Sequence, residues 1–456
     1  MAQTDNQKSK RGCLLPAVLI LVLMPIVLVT LVVSVWYLRE SSARNRWINR
    51  IAELRSQGYP VDNASVEAMY FNRTDETKTR EWLDAFQTLE SSEFKESASD
   101  IPFVKSDASV PLEGAWSDEK AIRRFLEEWR NFRSELTKLA SEAKPVRFPI
   151  VFDSFNSRLP YTNKTINAAR FLQLCGRVAL RDRDSALVCQ SIESILGASH
   201  VNAEEPMTVS RFVSDAIAGI ALDLLQAALE RDALNTDDLE RLLSKYKLET
   251  SIGKDWNVPL MGERGLAIPI FRDPSAAGLT VPHLLTRYSD ANYYLDTLEP
   301  YQDLPHEDLD AFLSQLDDCD EKNRMLLDAG GFARLDTILT RQILPAYSQF
   351  GREIVGRVSF HRLAVLAIGV RLYEDRHGGM PQSLSDLSEF AIDAKELMPS
   401  GGKPFGYRID GSEATLWGFV WGLKNRVSHV PPVTSRSDPY AELNDKWVWK
   451  LKSGRR

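Results

Sequence analysis

The chain has 456 residues, of which 44% are hydrophobic and 26% are charged, and this composition is typical of a folded protein with two or three domains. Its formal net charge is -7, although the first 38 residues carry a surplus of positive charge, so the remainder is acidic. An acidic body does not fit the clustered lysines and arginines of nucleic-acid-binding proteins, and we exclude nucleic acid as a partner.

The stretch from Leu14 to Leu38 contains no charged residue. As a helix it would be about 37 Å long, against a hydrocarbon thickness of roughly 30 Å, so it can cross a bilayer with some tilt. Trp36 and Tyr37 fit the aromatic belt of a membrane interface. We predict a transmembrane helix at residues 14–38, preceded by a short cytoplasmic tail at residues 1–13.

Basic residues lie on both sides of this span, so the positive-inside rule does not decide its orientation. A short N-terminal tail ahead of a large folded body favours a cytoplasmic N-terminus and an extracytoplasmic body. The apolar run is longer than that of a usual signal peptide, and no small-residue cleavage site follows it closely. We therefore predict an uncleaved, single-pass anchor in the cell membrane.

Residues 39–150 are predicted to form an N-terminal helical region. Apolar residues recur at helical spacing directly after the span: Trp47, Ile48, Ile51 and Leu54. The first helix should therefore continue out of the membrane. The prolines and aromatic residues of the segment 145–162 indicate an extended crossing segment and a candidate domain boundary.

Residues 151–350 are predicted to form a central helical domain. Residues 163–199 resemble a helical hairpin that turns at 181–185, weakly like a tetratricopeptide unit, although no clean repeat period is present. An unbroken apolar stripe then runs from 209 to 229. Its small residues favour close packing of a neighbouring helix over a cofactor groove; they are Ala216, Ala218, Gly219 and Ala221.

The next helix of this central domain has a clear start signal. Asn235 or Thr236 is its predicted N-cap, because Asp237 and Asp238 follow in the first turn, where a negative charge is favourable.

Residues 351–430 are predicted to form a small C-terminal module of a helix and a β-hairpin. The stretch HGGMPQSLSDL at 377–387 combines a glycine pair, a proline and a capping serine, Ser383, which indicates a helix end followed by a new short helix. Asp410-Gly411 then predicts a hairpin turn. Aromatic residues alternate on its two strands and should pair across them: Phe405 and Tyr407 with Trp417, Phe419 and Trp421. Residues 431–456 are predicted to be an irregular tail, in which KWVWKL can return as an edge strand.

The fold class predicted from these patterns is mainly α. An N-terminal transmembrane helix precedes an irregular helical array, and a small α+β hairpin module follows it.

Cysteines and histidines do not form a recognisable metal motif. Cys175 and Cys189 are symmetric about Asp182 in the predicted hairpin, so a disulfide between them is one prediction and two unlinked, buried cysteines are the alternative. His306 heads an acidic cluster, but adjacent helical residues do not face one another. His361 lies in an apolar helix and is predicted to be a satisfied core histidine.

Motifs of catalysis or phosphate binding are equally weak. The sequence GERG at 262–265 is too short for a phosphate-binding loop, and the carboxylates are too dispersed to be paired as acid and base. We therefore assign no catalytic, cofactor-binding or metal-binding residue from the sequence.

Several segments resemble one family of uncharacterised, single-span, mostly helical membrane-anchored proteins of planctomycete-type bacteria. They are IAELRSQGYPVD (51–62), NAARFLQLCGRVALRDRDSALVCQSIESIL (167–196), EPMTVSRFVSDAIAGIAL (205–222) and RLYEDRHGGMPQSLSDL (371–387). The C-terminal segment is also similar to the ends of type II secretion pseudopilins. The first resemblance implies a fold and an anchor, and it supplies no activity.

These observations predict a membrane-anchored extracytoplasmic helical protein, a binding or scaffold protein of the cell envelope with an unidentified protein partner. One alternative is a hydrolase whose active site is not recognisable in the sequence. The other is a pseudopilin-like secretion component.

Overall fold

The computed structural model of the protein describes residues 14–72, 76–101, 110–142, 146–154, 157–273, 286–306, 308–328, 337–344, 347–393, 404–418 and 448–453. Within these residues the chain is mainly helical, with one small sheet near its C-terminal end, which confirms the predicted fold class. The predicted tail at 1–13 and the aromatic residues Phe419 and Trp421 lie outside the described residues.

The helices follow one another along the whole described chain. They are α1 (Leu14–Ser56), α2 (Asn63–Phe71), α3 (Glu76–Glu90), α4 (Ser92–Ser97), α5 (Glu119–Glu128), α6 (Arg130–Ser141), α7 (Thr162–Asp182), α8 (Ser185–Ser199), α9 (Thr208–Glu230), α10 (Thr236–Leu248), α11 (Lys254–Arg272), α12 (Arg287–Gln302), α13 (Leu309–Asp328), α14 (Ile338–Ile343) and α15 (Tyr347–His377), with a 3₁₀-helix at Leu384–Phe390.

Helix α1 is the longest element, with 43 residues and therefore a length of about 64 Å. It runs through Pro25 and beyond the apolar run without a break. Two helices of the described chain are long and apolar enough to cross a membrane. The apolar window of α1 is 0% buried, whereas that of α9 is 56% buried, as expected for a core helix.

Helices α7 and α8 form the predicted hairpin, and its turn lies where the sequence places it. Arg183 adopts a left-handed conformation (φ 58°), and the Asp184 side chain caps α8 by accepting from the Leu187 N–H. Of the small residues predicted to allow close packing on α9, Ala218 and Ala221 are buried, whereas a side chain at Gly219 would meet open space. Helix α7 approaches α9 closely at Gly176, where a Cβ would lie 2.4 Å from Leu224.

The buried side chains form two clusters. The first includes residues of α2 to α10, the second half of α15 and the sheet. The second cluster joins the C-terminal part of α1, at Trp47 and Ile51, to helices α11 to α14 and to the first half of α15. Helix α15 therefore contributes to both clusters and links them, and the end of α1 that follows the apolar run is part of the folded body.

The C-terminal module contains a three-stranded antiparallel sheet with the order β1 (Gly406–Asp410), β2 (Glu413–Trp417) and β3 (Val448–Lys452). The predicted turn is confirmed, because Gly411 has φ +63° between β1 and β2. The predicted helix stop is also confirmed by Gly378 (φ +74°) and by a capping box at Ser383.

The predicted aromatic pairs of the hairpin are wrong for the described residues. Trp417 lies opposite Gly406 and covers it, so that a Cβ there would be 1.9 Å from the indole ring. Tyr407 lies opposite Leu416, which in turn pairs with Trp449 of β3. The third strand, which lies in the predicted irregular tail, therefore supplies the aromatic partner of the sheet.

Candidate functional site

The contact between α1 and α12 connects the apolar helix to the body. The Glu40 carboxylate accepts hydrogen bonds from the backbone N–H of Tyr288 at 2.5 Å and from the Ser289 hydroxyl at 2.9 Å. It thus satisfies N–H groups at the start of α12 that have no partner within that helix. One turn further along α1, the Asn292 amide donates to the Ala43 carbonyl at 2.8 Å.

The same pair of helices is joined again near Arg50. Its guanidinium contacts the carboxylates of Asp296 and, at 3.2 Å, Glu299. Because residue numbers increase together along both helices from Glu40 to Arg50, α1 and α12 run parallel. The first turn of α12 therefore lies at the level where α1 leaves its apolar run. We call this set of contacts the α1–α12 clamp.

The clamp is surrounded by positive charge at its apolar end. Arg39, Arg44 and Arg46 are exposed on α1, and the guanidiniums of Arg44 and Arg287 lie over the Tyr288 ring at 5.8 and 4.7 Å. Side chains on a helix tilt towards its N-terminus, so these α1 arginines lean towards the apolar run.

A second site is a cleft of ionisable residues between α8, α9, α10 and α15. His200 Nε2 lies 3.1 Å from Glu249 Oε1, and the other oxygen of Glu249 is 3.9 Å from the Arg357 guanidinium. Asp215 is held between Arg357 at 2.8 Å and Arg211 at 3.0 Å. We call these five residues the ionisable cleft; two arginines are balanced there by two carboxylates.

The pKa values of two carboxylates at this cleft are shifted in opposite directions. Burial would raise the pKa of Glu249, but the hydrogen bond with His200 and the neighbouring positive charges outweigh it and lower that pKa to about 2. Glu353 of α15 is not one of these five residues but lies near Asp215. Its burial and the charge of Asp215 raise its pKa. Glu249 is therefore a permanent anion that orients the imidazole of His200.

His361 lies beneath the cleft and corrects one prediction from the sequence. It is buried as predicted, but neither ring nitrogen has a hydrogen-bond partner among the described residues. Burial, assisted by the charge of Arg357, lowers its pKa to about 3, so the ring is neutral. Its closest aromatic neighbour is Tyr246, with ring centroids 5.4 Å apart.

The ionisable cleft can position a base, because a carboxylate that holds an imidazole fixes its tautomer and orientation. The His200 side chain is 31% exposed, so solvent reaches it. Within the described part of the chain, no serine or cysteine side chain is hydrogen-bonded to His200, and no group of three or more His, Cys, Asp or Glu residues is placed to hold a metal ion. The arrangement can therefore present an oriented imidazole to solvent.

Residues of the cleft were missed by sequence reasoning because they are far apart in the chain. The only local signal is the spacing of Arg211 and Asp215, which are four residues apart on one helix face. His200 and Glu249 end different helices, and only the packing of α8 against α10 brings them together.

The acidic cluster at His306 does not form a site in the described residues. His306 Nε2 lies 3.1 Å from the Asn257 amide, and Asp308 accepts from the backbone N–H of Asp310 and Ala311 at the start of α13. The adjacent Glu307 lies outside the described residues.

The GERG segment has a packing role in α11. A Cβ at Gly262 would lie 2.2 Å from the backbone oxygen of Pro206, and one at Gly265 would lie 2.5 Å from Val66. Glu263 is buried and accepts from the Thr208 N–H at 2.8 Å, while the Arg264 guanidinium lies over the Tyr59 ring. The two glycines thus allow α11 to approach its neighbours closely.

Cys175 and Cys189 lie on α7 and α8, and both are buried, unlinked thiols in this structure. Burial raises the pKa of Cys175 to about 12 and also raises that of Cys189, so neither is a reactive thiolate. The disulfide between them is not formed here, and it stays a prediction for the oxidised protein.

No family model, curated protein or solved structure matches this chain. The resemblances suggested by the sequence motifs therefore stay predictions.

Proposed function

We propose that the protein is a single-pass, membrane-anchored binding or scaffold protein of the cell envelope, with a cytoplasmic N-terminus and an extracytoplasmic helical body. The observation that carries this proposal is the continuity of α1, whose apolar run passes without a break into the clamp. The anchor and the body are thus one mechanical unit.

The exposed apolar side chains of α1 support the membrane assignment. Residues from Leu23 to Leu38 include many large apolar side chains that are about half exposed or more. Removing each such side chain from water contributes about 1.5–3 kcal/mol, so leaving the whole run in water would be very costly. A bilayer removes this cost, and the aromatic residues Trp36 and Tyr37 then lie at its surface.

The clamp gives the anchor a function beyond tethering. A flexible linker would let the body rotate freely, whereas the clamp fixes it against the helix that leaves the membrane. The body therefore presents the same faces to the membrane and to the extracytoplasmic space, as a scaffold for a protein partner requires.

Membrane extraction and thiol labelling test this proposal in intact cells. We expect the full-length protein to stay in the membrane pellet after salt and carbonate washes. For orientation, Cys13→Ser removes the N-terminal thiol, and the three remaining cysteines are buried. A membrane-impermeant maleimide should then label a Ser42→Cys variant at once, but a Ser9→Cys variant only after permeabilisation.

Two outcomes would contradict the proposal in different ways. Release of the protein by a salt wash would exclude the anchor. Immediate labelling at position 9 with protection at position 42 would keep the anchor but reverse the orientation.

The ionisable cleft favours a second candidate function, a hydrolase in which His200 activates water. We expect the wild-type protein to hydrolyse at least one member of a panel of aryl esters and phosphate esters, and His200→Asn to abolish this activity. His377→Asn is a matched control, because His377 also contacts a carboxylate, that of Glu389 at 2.7 Å, on an exposed surface. Absence of turnover by the wild-type protein, or equal activity of both variants, would exclude this candidate.

A further inference from the structure

A cavity of about 330 Å³ lies between the end of α3, the short helix α4 and helix α7. Its floor is apolar and consists of the buried side chains Leu89, Phe94, Ala98 and Phe171. The volume is within the range of small-molecule sites, which start at about 300 Å³. The cavity is separate from both the clamp and the ionisable cleft.

The floor of this cavity is held in place by an aromatic cluster. The Phe94 ring makes edge contacts with Phe171 at 5.7 Å, with Phe125 at 5.5 Å and with Trp129 at 4.9 Å between centroids. Trp129 also donates its indole N–H to the Ser97 hydroxyl at 2.8 Å, which ties α4 to the boundary of α5 and α6. The apolar surface is therefore preformed and rigid.

The rim of the cavity is polar and positively charged. It includes Lys95, Asn167 and Arg170, and no carboxylate of the described residues lines the cavity. Lys95 is exposed and has no ion-pair partner within the described part of the chain. A cation and an amide beside an apolar floor match a ligand that has an apolar group at one end and an anion at the other.

A second cavity of about 350 Å³, between α3 and α6, shows the contrast. Its lining includes Lys78, but this lysine contacts the carboxylates of Glu81 and Glu142, and further acidic side chains surround it. Its positive charge is thus neutralised by the protein. Of these two cavities, only the one with Lys95 therefore offers an unneutralised positive charge to an anionic ligand.

We propose that the cavity at Lys95 binds a small organic carboxylate with one aromatic or branched aliphatic group. The apolar group contacts Phe94, Ala98 and Phe171, and the carboxylate accepts hydrogen bonds from Lys95, Asn167 and Arg170. The volume corresponds to roughly ten water molecules, which is the size of 3-phenylpropionate. We expect a dissociation constant in the millimolar range for a ligand this small.

Saturation-transfer NMR and calorimetry with 3-phenylpropionate test the site in the full-length protein in lipid nanodiscs, with empty nanodiscs as the blank. The amine 3-phenylpropylamine has the same apolar group and the opposite charge. We expect the carboxylate to bind and the amine not to bind. Lys95→Glu should weaken carboxylate binding by about tenfold or more, because it replaces an attractive charge by a repulsive one.

Two further variants distinguish binding in the cavity from non-specific binding elsewhere on the protein. Lys120→Glu makes the same charge change at an exposed position of α5 that does not line the cavity, and it should bind like the wild type. Ala98→Leu fills the floor and should abolish binding, while the circular-dichroism spectrum and the melting temperature show whether it is folded.

The proposal fails if 3-phenylpropionate does not bind, or if the amine binds as tightly as the carboxylate. It also fails if folded Lys95→Glu and Ala98→Leu variants both bind like the wild type. None of these results depends on whether α1 spans a membrane.

Discussion

Replacing Arg371 by methionine should be among the most damaging single changes in the body. Arg371 is 1% exposed on α15 and contacts the end of α9, strand β3 and a carboxylate of its own helix. Its Nε and Nη2 donate to the Leu229 carbonyl at the end of α9, at 3.1 and 2.6 Å. Its Nη1 donates to Glu374 at 2.6 Å and to the Lys452 carbonyl of β3 at 2.9 Å.

The expected magnitude follows from what the substitution leaves behind. Glu374 is only 4% exposed, so it would become a buried carboxylate without a counterion, and such a change costs about 3–5 kcal/mol of unfolding free energy. Replacing both residues, as Arg371→Met with Glu374→Leu, removes the stranded charge. The double variant should lose only about 1–3 kcal/mol, because the two carbonyls still lack their donor.

Urea unfolding of the full-length protein in mild detergent, followed by circular dichroism, measures these differences. Hydrogen exchange should also show that β3 opens first, since Arg371 ties it to α9. Arg376→Met on the same helix is the control, because its ion pair with Glu389 is exposed to solvent, which screens it, and so contributes little to stability. A loss no larger than that control, or a double variant as unstable as the sum of the singles, would refute the reasoning.

Three further predictions concern the buried core. Burial raises the pKa of Glu205 to about 7, so the folded state holds a proton that the unfolded state releases above about pH 4.5. The free energy of unfolding should therefore fall by roughly 3 kcal/mol between these pH values, relative to Glu205→Gln, and a pH-independent difference in urea titrations would contradict this. Gly262→Ala should cost about 1–3 kcal/mol, whereas Gly219→Ala, with open space at its Cβ, should be neutral or stabilising; equal melting temperatures would exclude the packing argument. Non-reducing mass spectrometry of oxidised protein should show either a Cys175–Cys189 linkage or two free thiols, and free thiols would end the disulfide prediction.

Local features of the fold were predictable because neighbouring residues decide them. The cap at Asn235 accepts from the Asp238 N–H, as its position before two acidic residues predicted. The stop at Gly378 and the turn at Gly411 have the positive φ that their sequences favour. The long apolar run after Leu14 is also helical, as its composition predicted.

Contacts between distant residues could not be predicted in the same way. The sequence marked the small residues of α9 for close helix packing, and Ala218 and Ala221 are buried whereas Gly219 meets open space, because the relative rotation of two helices decides which face is shared. The sequence predicts an edge strand at KWVWKL, where β3 lies, but no local pattern specifies the register that pairs Trp449 with Leu416.

The sequence by itself determined the helical class, the exposed apolar helix and the main starts and stops, since backbone preference and hydrophobic periodicity act over a few residues. Only the tertiary structure decided the ionisable cleft, the Lys95 cavity and the unpartnered state of His361. Each of these depends on which side chains meet when helices pack, and that is set by the whole core rather than by any single segment.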